Sequence, residues 1–471
     1  MMLASGKIIE LLTRKTLNNL MEAPPSVTRT QFPAWVSTAM SVIFSLLWVF
    51  TMLPHTLIMQ NFCLVIGASL GFYIVASRWQ LLCSKKAIPI WVVLLLFLWM
   101  GIHLLFIGTN LDLQKAEYLS LWKRAALGSV FALGFGLSVT QSRNNRNWKI
   151  VVLGLLSPTF IYYLKYLATF ALPVLGIDTP EYLKLYFGSA EFYVPKISYV
   201  FYCLPAFALA LGMLLMQIRK DVSLSTLKNS FFWGVAAILV LGVFYLENIK
   251  NGIMYALVII IIFLIGLFKK SKDGVSKSIV CVSVFILLLT SLLAFNNFQT
   301  NKSWANLLAD LEVARTVSPE DLWKSTEPSY PLNAKGIPVA STNFDRAFYL
   351  RTGLNLLLQN PLGYGLVHSS FGHLAKERWP NAPIIQSHSG WLDLLLGLGF
   401  PGALLLLLSA LMAIQRVGKV VEPWNVFGAW TLGSILILYI STEVAQKNYV
   451  DTLVWLIVLV ASLGLKNIKI D

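Results

Sequence analysis

Arg346, Arg351 and His388 are the residues of this chain best suited to chemistry, and all three lie in one polar stretch, Asn343 to Gly402. A guanidinium presents a rigid fork of donors that binds phosphate bidentately. His388 stands at the mouth of the apolar run Trp391 to Leu396. Burial there disfavours the imidazolium, and a neutral imidazole can take a proton from a hydroxyl. The stretch reads as a site for something anionic and something that must lose a proton. Each residue also has an ordinary reading. Asp345 is a ready ion-pair partner for the arginines, and a histidine at such a boundary can simply bond the backbone. On one helix the two arginines lie about 140° apart, so they grip different parts of one ligand, or one binds while the other packs. Pro361-Leu362-Gly363-Tyr364-Gly365 supplies a tight turn where backbone can approach a ligand. It is not a phosphate-binding P-loop, because GxxxxGK[ST] is absent. Gly397, Gly399 and Gly402 with Pro401 bend or thin the next apolar run, and helix–helix contact explains them equally well.

The rest of the chain must hold this stretch in a membrane. Hydrophobic residues make up 57% and charged ones 13% of the 471 residues, about half the charged fraction of a soluble protein. The apolar runs are continuous and approach the ~20 residues that cross a bilayer. They predict an all-α polytopic membrane protein of about twelve spans, near 34–54, 57–77, 88–108, 122–140, 150–175, 198–217, 230–247, 252–268, 278–296, 390–414, 426–442 and 448–465. A barrel is excluded, since its strands would alternate. Nothing before the first span resembles a cleavable signal peptide, and Lys7 to Leu20 reads as a surface helix or a basic tail. The net charge of +15 gathers in alternate short loops, such as Lys85–Lys86 and Lys269–Lys272. The positive-inside rule puts those loops and both termini in the cytoplasm. Topology thus explains the basic excess without nucleic acid. The four cysteines stand singly and form neither a disulfide framework nor a zinc site.

The domain plan is a membrane region 1–296 of about nine spans, a periplasmic loop 297–389, and a membrane region 390–471 of about three spans. Within the loop, Trp304, Leu307, Leu308 and Leu311 predict an amphipathic surface helix. Ser318-Pro319-Glu320-Asp321 is a strong helix start. Thr342 and Asp345 form a capping box for a helix whose apolar face is Ala347, Leu350, Leu354 and Leu357, ending at Asn360-Pro361. A second, smaller outward loop covers Gly176 to Ile197.

With these residues assembled, the chain resembles the O-antigen ligase and polymerase superfamily of bacterial envelope glycosyltransferases. Three elements in order carry the resemblance: Arg346 on a loop helix, the Pro361–Gly365 turn ending that helix, and His388-Ser-Gly-Trp-Leu-Asp before a Leu- and Gly-rich span. The span plan fits lipopolysaccharide O-antigen ligases best, in a GT-C-like fold. The resemblance implies transfer of undecaprenyl diphosphate-linked O-antigen to a sugar hydroxyl of lipid A–core, at the periplasmic side of the inner membrane, with inversion and with no metal or other cofactor. It implies His388 as general base and Arg346, with Arg351, as the diphosphate site. The family often carries a further arginine in the earlier outward loop. Here Lys184 precedes Leu-Tyr-Phe-Gly and stands in that role as a point charge, with Lys196 as its rival. The alternatives are an O-antigen polymerase, a protein O-oligosaccharyltransferase, or, in a different class, a polysaccharide or lipid transporter using Lys165, Lys123 or Arg124.

Overall fold

Long apolar runs in lipid leave the backbone no partner but itself, so they fold as helices. The computed structural model describes residues 33–108, 110–141, 145–185, 191–218, 224–268, 306–324, 330–383 and 386–466, with 288, 292, 295, 296 and 299. Among these residues the protein is all-helical apart from one isolated bridge between Leu332 and Pro338. The helices before the large loop are α1 (Ala34–Phe50), α2 (Leu57–Ala76), α3 (Ile88–Ile102), α4 (Leu111–Glu117), α5 (Lys123–Gln141), α6 (Asn145–Val174), α7 (Lys196–Ile218), α8 (Leu224–Leu246) and α9 (Lys250–Phe268). The loop adds α10 (Leu307–Thr316), α11 (Pro319–Leu322), α12 (Ser341–Gln359) and α13 (Ser370–Arg378), and the chain closes with α14 (Gly390–Val417), α15 (Trp424–Leu438) and α16 (Lys447–Leu463).

Seven helices of the described residues are long and apolar enough to cross a membrane, and α1 and α15 are shorter apolar helices. The chain is a multi-pass membrane protein. Helix α5 packs along α2 and α16, and α7 is enclosed by α6, α8, α9 and α15. The surface helix expected over Lys7 to Leu20 lies outside the described residues, and the span expected at 278–296 lies mostly outside them.

The large loop has a core of its own. Trp323, Phe344, Phe348, Leu356, Leu357, Phe371 and Leu374 pack together and against Leu392 and Leu396 of α14. Asp310, fully buried, accepts bonds from Asn333 (3.0 Å), Asn343 (3.0 Å) and the Ala340 amide (3.3 Å), tying α10 to the start of α12. Ser318 caps α11 through the Asp321 amide at 3.1 Å, as its sequence predicts. Two expectations for α12 need correction. The helix begins at Ser341 with no side-chain cap, because the Asp345 carboxylate is taken by the Tyr330 hydroxyl at 3.1 Å. Its buried face is Phe344, Phe348, Thr352 and Leu356, whereas Leu350 and Leu354 are exposed. The aromatic side chains bury more area than leucines and so choose the inward face.

The Pro361–Gly365 turn is docked backbone-to-backbone on α14. Tyr364 and Gly365 donate to the Leu396 and Gly397 carbonyls at 2.8 Å each, and Phe400 donates to Pro361 at 2.9 Å. Helix α14 is broken at Gly399, at φ 67° and ψ 179°. Gly363 is also left-handed, at φ 87°. A Cβ on Gly399 would lie 2.1 Å from the Leu362 carbonyl carbon, and one on Gly363 would lie 2.3 Å from the Gly399 nitrogen. The turn is also held from α3 and α4. His103 donates to the Gly363 carbonyl at 2.9 Å and Gln114 to the Tyr364 carbonyl at 2.6 Å. The buried Glu117 carboxylate accepts the amides of Val367 and His368, both at 2.8 Å.

Gly399→Ala combines a strained backbone with a clash against rigid backbone. It is expected to cost about 2 kcal/mol or more, read as a lowered denaturation midpoint of the purified protein. Burial pushes Glu117, in the segment between spans, up to about 7, against the pull of the two amides and Lys447. The unfolded carboxyl ionises near 4.5. The unfolded chain therefore sheds the proton first, and stability falls as pH rises from about 4.5 to about 7, by at most about 3 kcal/mol. Glu117→Gln is expected to flatten that slope in melts across this range.

Candidate functional site

His388 is placed by the segment that starts α14. Ser389 caps the helix at the Leu392 amide (3.3 Å), and its hydroxyl also donates to the Ile440 carbonyl at 2.9 Å. The Trp391 amide donates to Tyr439 at 3.0 Å. These bonds align the residues before α14 with the segment joining α15 to α16. His388 sits there in the left-handed region, at φ 61°, a conformation a non-glycine residue keeps only when its surroundings impose it. Its ring stacks on Tyr349 of α12, with centroids 5.6 Å apart and planes 14° from parallel. Its Nδ1 meets the carboxylate of Glu443.

Glu443 was not a candidate from sequence. It stands as one acid after a span, with no neighbouring motif, and only the pairing of the two segments brings it to His388. A carboxylate on Nδ1 fixes that nitrogen as the donor and leaves Nε2 as the acceptor. Asp345 lies close enough to His388 and Arg346 for their charges to act on it, yet burial raises its carboxyl above the ordinary range. Burial together with Asp345 raises the Tyr349 phenol as well.

Glu443 lines a cavity of about 740 Å³ that also takes in Lys196, Lys250, Asn251 and Arg346. Its walls come from the starts of α7 and α9, from α10 and α12, and from Ser441 and Thr442. Arg346 is half-buried and donates to Asn251 at 3.1 Å. Lys196 donates to the Glu247 carbonyl at 2.6 Å. Lys250 is exposed and makes no hydrogen bond or ion pair among the described residues. It was missed because Lys250-Asn251 separates two apolar runs and reads as a loop charge. Ala347 and Leu350, from the predicted apolar face of α12, line this cavity, and Ala347 also packs against the loop core. Tyr255 fixes the far wall by bonding both Ser441 and Thr442 at 2.7 Å.

Of the candidate residues, Arg346 and Lys196 share this cavity, and His388 reaches it through Glu443. Two others lie apart. Arg351 is turned to the opposite side of α12, where it donates to the carbonyls of Arg315 and Val317 and lies 5.5 Å over the Phe348 ring. Lys184 pairs with Glu181 at 3.4 Å and borders a separate pocket beside Thr169 and Asp178. Arg124, weighed as a transport charge, is engaged by Asp451 at 2.9 Å and by Gln60 and Asn61.

The fold and site are those of a multi-pass membrane protein with three cations lining one cavity and a histidine–carboxylate pair at its wall. Residues 235–407 match the family model described as O-antigen ligase. The matched segment, which is similar to that family, holds Lys250, Arg346, Arg351 and His388. Lys196 and Glu443 fall outside it. No curated protein matches the chain.

Arg351→Ala removes two bonds that hold α12 to the end of α10 and the residue just after it. It is expected to destabilise the loop by about 1–3 kcal/mol, seen as faster limited proteolysis there, with KM for any substrate of the cavity unchanged.

Proposed function

We propose that this protein is an O-antigen ligase, transferring a polysaccharide from undecaprenyl diphosphate to a sugar hydroxyl of lipid A–core at the outer face of the inner membrane. The observation that carries this reading is the meeting of Arg346, Lys250 and Lys196 in one cavity whose wall residue, Glu443, holds His388. A diphosphate leaving group needs positive charge aimed at it as the glycosidic bond breaks, and preorganised donors in the cavity supply it. His388 Nε2 takes the proton of the acceptor hydroxyl. The acceptor oxygen forms its bond to the anomeric carbon while the carbon–oxygen bond to the diphosphate breaks, its electron pair leaving on phosphate. Attack from the face opposite the leaving group inverts the anomeric centre. Glu443 holds the imidazole in the required tautomer and stabilises the charge that appears on the ring.

The membrane setting favours the same reading. With the basic loops on the cytoplasmic side, the cavity opens where nucleotide sugars are absent and a lipid-linked donor is the available one. Purified protein given lipid-linked O-antigen and lipid A–core is expected to join them without an energy source. His388→Ala is expected to lower kcat by about 10²–10⁴ in a protein that still melts cooperatively, and Arg346→Gln by about 10²–10³. Normal transfer by the His388 variant would remove the central assignment. Lengthening of the lipid-linked donor with no product on lipid A–core would make the protein a polymerase.

A further inference from the structure

A second cavity, about 520 Å³, opens at the same end of the bundle between the α1–α2 turn and the starts of α5, α7 and α16. It shares a wall with the cavity of Arg346. Along α7, Lys196 and Val200 face the first cavity while Ser198 and Tyr202 face the second. In the segment before α16, Ser441, Thr442 and Glu443 face the first, and at the start of α16 Lys447 and Tyr449 face the second. A 2.7 Å bond between the Ser198 and Tyr449 hydroxyls closes the wall. Glu443, with His388 on its carboxylate, faces the first cavity from the same stretch of chain that, from Gln446 to Tyr449, lines the second.

The second chamber has one cation that the protein does not use. Arg124 is engaged on three sides by Asp451, Gln60 and Asn61, and His55 faces Glu191. Lys447 is half-buried and makes no hydrogen bond or ion pair among the described residues; Glu117 acts on it only at longer range. It is also the first residue of α16, which has no acid in its first turn. The positive end of the helix dipole disfavours a cation there. A lysine held against its own helix, short of partners, in a chamber that also offers Gln446, Asn448 and Tyr193, suits an external anion bearing sugar hydroxyls.

We infer that this second chamber binds the acceptor as a phosphorylated, lipid-anchored saccharide, with Lys447 on its phosphate, so that donor and acceptor approach the histidine from opposite sides of one wall. This rests on the ligase reading, which requires two lipid-anchored substrates at one base.

The test uses full-length protein in detergent, wild type beside Lys447→Glu, Lys447→Arg and Arg346→Gln. Lys447→Glu is expected to raise KM for lipid A–core about tenfold and leave KM for the lipid-linked donor unchanged. Lys447→Arg should restore the acceptor KM, and Arg346→Gln should shift the donor side instead. Micelles of phosphorylated lipid A–core should raise the melting temperature of wild type but not of Lys447→Glu, and dephosphorylated lipid A–core should raise neither. An unchanged acceptor KM, or an equal rise in both KM values, would overturn the inference while the ligase reading stood. If wild type transferred nothing yet was stabilised by the phosphorylated lipid through Lys447, the binding site would stand and the ligase reading would fail. Absence of both transfer and stabilisation would sink both.

Discussion

The arrangement depends on one backbone contact, the seating of the Pro361–Gly365 turn in the break of α14 at Gly399. Two left-handed glycines lie against each other at a separation that leaves no room for a Cβ on either. In lipid an unpaired amide or carbonyl costs several kcal/mol. A broken membrane helix is tolerable only if another segment takes its freed groups. The turn does this, accepting from Phe400 and donating to Leu396 and Gly397. Once the two are joined, the end of α12 and the start of α14 are fixed together, and with them Tyr349 and His388.

The same contact explains why α3 and α4 are pinned so firmly to the large loop. His103, Gln114 and Glu117 each satisfy backbone groups of residues 363–368. A carboxylate buried this deeply is costly to ionise, and two amide donors offset part of that cost. These helices therefore help position the proposed site without lining its cavity.

The proposed site is assembled from segments remote in sequence. Arg346 comes from the loop, Lys196 and Lys250 from the starts of two membrane helices, and Glu443 from a connection near the end of the chain. Each helix start or turn at this end of the bundle offers a polar group, and the cavity collects several of them even where, as at Lys196 and Arg346, they also bond a neighbour. The Arg351 guanidinium has been spent on two carbonyls of the loop, and Lys184 on its neighbour Glu181.

The sequence by itself determined the class, because long apolar runs have one way of satisfying their backbones in lipid, whatever surrounds them. It also determined the local features that depend on neighbours in the chain: the cap at Ser318, the end of α12 before Pro361, and a histidine at the mouth of α14. The three-part order of arginine, turn and histidine was legible for the same reason, and the family match over residues 235–407 agrees with it. Tertiary structure alone decided which face of α12 turns inward, since Phe344 and Phe348 outcompete Leu350 and Leu354 only once a pocket for rings exists. It also decided which cations meet. On α12 the 100° step per residue sends Arg346 and Arg351 to different sides, but which side faces the cavity depends on how α10 and α14 pack against the helix. Lys250 and Glu443 carry no local signal at all, because a lone charge beside an apolar run looks the same whether it faces solvent, a lipid headgroup or a partner from a distant segment.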